Sequence, residues 1–204
     1  MPMALVFITN MIAYYGTHII NNGRAYHSVV MAVDRKIPFI EPFIYVYVLA
    51  FLQWIICYIT ACVKDGEKCG YFAFGASFAN LICMVCFIAY PTIMTIRPEI
   101  NGGSITDMLT RYIFAADTPP VNLLPSIHCL ESWICLRMVF SLKGVPRAVK
   151  YANAAFSCLV FASVLLVKQH ALADVPAGIA AAEAGLFLAR LILKKHNNVK
   201  GEAK

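Results

Sequence analysis

Six stretches of this chain are too apolar to face water: near residues 4–22, 42–62, 71–93, 127–142, 152–168 and 172–194. Crossing the hydrocarbon core of a bilayer takes about 20 mostly apolar residues in a helix. At that length only a helix satisfies its own backbone in lipid. The expectation is an all-α integral membrane protein, a six-transmembrane-helix bundle, with residues 1–204 forming one membrane-embedded domain. Two of the spans are less regular. Asn10, Thr17 and His18 dilute the first, and the fourth is short and carries Glu131 and Arg137. Composition points the same way: 60% of residues are hydrophobic and 14% charged, against about 25% charged in a soluble domain.

The formal charge of +6 would suggest nucleic acid in a soluble protein. Here the basic residues flank apolar segments, so the charge reads as topological bias, and no nucleic-acid partner is expected. The loops at 63–70 and 143–151 and the C-terminal segment hold more Lys and Arg than the loops on the other side. The positive-inside rule then places both termini in the cytoplasm. The segments 23–41, 94–126 and 168–172 face outward. No Lys or Arg precedes Arg24, so the start lacks the basic region of a signal peptide and the first span is expected to be retained. The segment 23–41, with Tyr26, His27, Arg35, Lys36, Pro38 and Phe39, reads equally well as an interfacial element or as an ordinary loop.

Eight cysteines are present, nearly all in or beside apolar runs. Cys83 and Cys86 stand one helical turn apart and read as packing residues rather than as metal or disulfide partners.

The residues suited to chemistry cluster where apolar segments meet water. His170 and Asp174, four apart, share a face if helical. The carboxylate could then fix the imidazole tautomer and leave the other ring nitrogen free to attack. Ser126 and His128 follow Pro125 at the start of the fourth span, where a capping hydroxyl and free amides favour an anion, and His128 could protonate a leaving oxygen. Arg97 and Lys168 fall on the same outward side. Two histidines and a carboxylate could ligate zinc, but fixed cations beside them repel a metal and attract phosphate. No metal or other cofactor is expected. His18, His27 and His196 read as structural. Glu131 is expected to face the bundle interior, Glu183 is similar, and Gly178 and Gly185 signal close helix packing.

These blocks resemble the membrane-bound phosphatidic acid phosphatase type 2 superfamily of lipid phosphatases and phosphotransferases. Arg97-Pro98 matches the end of its Lys-x6-Arg-Pro block, Pro125-Ser126-Ile127-His128 matches Pro-Ser-x-His, and Ser163, His170 and Asp174 match Ser-Arg-x5-His-x3-Asp in register. Within it, Ser-Val-Leu-Leu-Val-Lys-Gln-His-Ala-Leu-Ala-Asp and Asp34-Arg35-Lys36-Ile37-Pro38-Phe39 look most like a bacterial branch related to inositol-phosphate and sphingolipid phosphotransferases. The resemblance implies that His170 is a nucleophile forming a phosphohistidine, Asp174 its orienting partner, His128 the general acid, and Arg97 and Ser126 the phosphoryl holders. Tyr90 stands where the first block has lysine and Val164 where the third has arginine, and Lys168 could replace part of that charge. Glu131, Ser163 and Tyr90 would support the site. The implied activity is metal-independent hydrolysis of a lipid phosphate or pyrophosphate at the outer membrane face, with phosphatidic acid, phosphatidylglycerol phosphate and undecaprenyl pyrophosphate as candidates. Phosphotransfer to an alcohol acceptor is the alternative, and a non-catalytic transporter or scaffold the third. Oligomeric state is left open.

Overall fold

The computed structural model describes residues 2–202, with side chains through Lys195, so His196 lies outside the described side chains. Among the described residues five helices are long and apolar enough to cross a membrane: α1 (Pro2–Ile20), α3 (Phe43–Lys64), α4 (Gly66–Ala89), α7 (Arg147–Leu166) and the apolar part, to Lys195, of α8 (Asp174–Glu202). Shorter helices are α2 (Ala32–Lys36), α5 (Ile105–Ala116) and α6 (Ile127–Ser141). Among the described residues there is no strand; isolated pairings of His27 with Thr92 and of Ile93 with Val121 tie the loops at one end together.

Local chemistry explains the boundaries. Pro2, Pro42 and Pro146 stand at or just before helix starts, where a missing N–H costs nothing. The turn expected over 63–70 reduces to Asp65, because its carboxylate caps α4 by accepting from the Lys68 amide at 3.0 Å. The loop expected over 94–126 contains α5. A capping box starts that helix: the Ser104 hydroxyl accepts from the Asp107 amide at 3.1 Å, and the Asp107 carboxylate accepts from the Ser104 amide at 2.7 Å.

The fourth expected span is α6, only 15 residues long, or about 22 Å. It is the hub of the bundle, packing against α3, α4, α7 and α8. That explains how Glu131 is tolerated: it is buried and accepts from Asn80 at 3.1 Å and Tyr58 at 3.4 Å. Arg137 pairs with Glu183 of α8, which also accepts from the Trp133 indole at 2.6 Å. The expected glycine packing is present. A Cβ on Gly185 would lie 2.3 Å from the Gly75 carbonyl, which is how closely α8 approaches α4.

Cys62 and Cys69, to which the sequence reading gave no role, form a disulfide across the Asp65 turn. The turn is so short that the last turn of α3 and the first of α4 face each other. Cys83 and Cys86 are free, as read.

Candidate active site

The starts of α6 and α8 are joined by backbone: the Ser126 amide donates to the Asp174 carbonyl at 3.1 Å. Gly178 permits this approach, since a Cβ there would lie 2.4 Å from the Ser126 carbonyl. Ser126 also caps α6, accepting from the Cys129 amide at 3.3 Å. The result is that His128 and His170, far apart in sequence, have ring centroids 6.4 Å apart. Both line one cavity of about 220 Å³.

His170 lies in the turn between α7 and α8. Its Nδ1 is 3.0 Å from the Leu123 carbonyl and 3.2 Å from Asp174 Oδ2. Two acceptors at Nδ1 require the proton there, which leaves Nε2 with a free lone pair. Asp174 is fully buried and is itself fixed by the Ala171 amide at 2.8 Å. His128 sits in an aromatic sleeve, stacked on Tyr47 at 4.0 Å with Phe51 and Trp54 each at 5.2 Å. Its Nε2 is buried with no hydrogen-bond partner.

The two expected cations are placed differently. Arg97 reaches Asp117 and the Gln169 side chain, with Nη1 on the Asp117 carbonyl at 3.0 Å, Nε on the Lys168 carbonyl at 3.4 Å, and the guanidinium over Phe114 at 4.8 Å. Asp117 is also held by the Tyr14 hydroxyl. Burial pushes the Asp117 carboxyl up, to about 8, and the Arg97 guanidinium down, to about 10, because each loses the water that stabilises its charge. Removing either would strand the other without a counter-charge.

Lys168 does not line the cavity. Its ammonium donates to the carbonyls of Asp34 at 2.9 Å and Ile37 at 2.5 Å, and its backbone sits in the left-handed region at φ 55°. Asp34 completes the latch by accepting from the Leu172 amide at 2.7 Å. The segment 23–41 is therefore neither a free loop nor solely an interfacial strip, since α2 is bolted to the turn that carries His170. We expect Lys168→Met to lower the melting temperature, at a cost of about 1–3 kcal/mol for the orphaned carbonyls. Unchanged thermal melting of the purified variant would contradict this structural role.

Ser163 also lies away from the cavity lining, donating within α7 to the Val160 carbonyl at 2.8 Å. Tyr90 stacks on His27 at 4.3 Å, so both belong to the packing of the loops. Glu131 lies one turn below His128 on the hub helix and lines a second cavity of about 140 Å³. Among the cavity residues that sequence reasoning missed are Asp117, Gln169, Tyr14 and Tyr47. Only Gln169 carried a signal, as the immediate neighbour of His170. Among the described residues, no group of three His, Cys, Asp or Glu side chains is arranged to hold a metal ion.

No protein family, curated protein or solved structure matches this chain.

Proposed function

We propose that this protein is a membrane-embedded phosphatase of the phosphatidic acid phosphatase type 2 kind, cleaving a lipid phosphate monoester or pyrophosphate through a phosphohistidine. The observation that carries the reading is the pair of imidazoles 6.4 Å apart, one of them tautomer-locked by a buried carboxylate. In the first step the His170 Nε2 lone pair attacks phosphorus, the bond to the leaving oxygen breaks, and His128 as imidazolium gives that oxygen its proton. The face of Tyr47 supports the imidazolium. In the second step neutral His128 takes a proton from water, the hydroxide oxygen bonds to phosphorus, and the phosphorus–nitrogen bond to His170 breaks, releasing phosphate. An alcohol in place of water would turn the same residues to phosphotransfer.

The lipid tail would enter between α1 and α3, where the two cavities share Asn10, Met11, Phe51 and Trp54. With α6 counted as a sixth span, the chain alternates sides at every helix. The charge bias then puts both termini in the cytoplasm and the histidines at the outer face.

The test uses the full chain, purified in detergent, with a panel of radiolabelled lipid phosphates. Free phosphate should appear, undiminished by EDTA, and quenched enzyme should carry an acid-labile, base-stable label on His170. A labelled phospholipid as the product would favour phosphotransfer. Loss of turnover with EDTA and its return with zinc would overturn the metal-free reading.

A further inference from the structure

If neither expected cation is free to bond substrate, something else must hold the phosphoryl oxygens. Four of the five Arg97 donors already face protein oxygens, and the Lys168 ammonium is held by the carbonyls of Asp34 and Ile37. Gln169 is 2% exposed and lines the catalytic cavity. A guanidinium has only donors, so the amide must turn its oxygen toward Arg97. That leaves Nε2, a double donor, buried without a partner beside the nucleophile. Buried polar groups in folded proteins nearly always have partners, and an orphan calls for an explanation. A phosphoryl oxygen, an acceptor that arrives only with substrate, supplies one.

We propose that Gln169 Nε2 is a binding donor to a non-bridging phosphoryl oxygen, and that Arg97 is a positioning residue that acts through it. The proposal rests on the phosphohistidine reading, because it takes the phosphorus to be the atom His170 attacks. It assigns recognition of the phosphate to a neutral amide whose orientation a buried cation dictates. The shared ligand chemistry is a tetrahedral phosphoryl group, whether in a lipid headgroup or as the released ion.

Gln169→Glu separates this role from a purely structural one. Glutamate keeps the shape and strengthens the bond to Arg97, but turns a carboxylate oxygen toward the phosphoryl group. Gln169→Leu removes the donor without adding charge. Binding of inorganic phosphate to the intact protein, followed by calorimetry, should weaken about 10-fold in Gln169→Leu and about 100-fold in Gln169→Glu, the range for a hydrogen bond to a charged group. KM for phosphatidic acid in mixed micelles should rise in the same order, with melting temperatures close to wild type for Gln169→Glu. Arg97→Met should add little to the binding defect once Gln169 is leucine. Gln169→Glu binding phosphate as well as Gln169→Leu or better overturns the proposal, as does a KM shift for lipid with unchanged binding of inorganic phosphate. Additive losses in the double variant overturn the role given to Arg97. If instead the parent protein hydrolyses phosphatidic acid no faster than its His170→Ala variant, the phosphohistidine reading itself fails, and the proposal with it.

Discussion

His170→Ala is expected to lower phosphate release by at least about 10³-fold, the order seen when a covalent nucleophile is removed. The ring's attacking nitrogen is left free because the Leu123 carbonyl and Asp174 hold the proton on Nδ1. The label recovered on quenched enzyme should vanish in parallel. Asp174→Asn is a finer probe. An amide oxygen at the Oδ2 position can still accept from His170 and Ala171, which holds the tautomer. The lost negative charge no longer stabilises the positive ring of the phosphohistidine, and turnover should fall about 10²–10³-fold. Both variants should melt near the parent, because His170 is a turn residue and asparagine preserves the shape. Turnover by His170→Ala within about 10-fold of the parent would remove the nucleophile from the mechanism.

The second large effect belongs to His128. His128→Ala should slow cleavage of a lipid phosphate about 10²–10⁴-fold, the usual contribution of a positioned general acid. The loss should depend on the leaving group. An aryl phosphate, whose oxygen departs without help, should still phosphorylate His170, giving a burst of phenol. The phosphoenzyme should then accumulate, since the same imidazole is needed to activate water. Equal losses on alkyl and aryl substrates, with no accumulation, would show that His128 acts only in packing.

Five of the spans and the proposed histidine pair were legible in the sequence because each rests on local pattern. Apolar runs set the helices, and the spacing of His170 from Asp174 and of Ser126 from His128 places each pair at a helix start. The rest depends on contacts between distant segments. Lys168 looked like a phosphate ligand by position, but the carbonyls of Asp34 and Ile37, far away in the chain, claim its ammonium. Arg97 reaches the cavity only through its partners Asp117 and Gln169, which come from two other loops. The Cys62–Cys69 bridge follows from a turn one residue long, a length that hydropathy cannot resolve. α5 carries one local signal, the capping-box spacing of Ser104 and Asp107.

The spacing of the two rings is set by main chain rather than by side-chain packing. One backbone hydrogen bond, donated by the Ser126 amide to the Asp174 carbonyl and seated over a residue with no Cβ at position 178, fixes how the two helix starts meet. Lipid-facing positions on the outer helices can therefore drift freely through apolar residues without retuning the chemistry. A single added methyl at position 178 would force the two helix starts apart, and the two halves of the reaction centre with them.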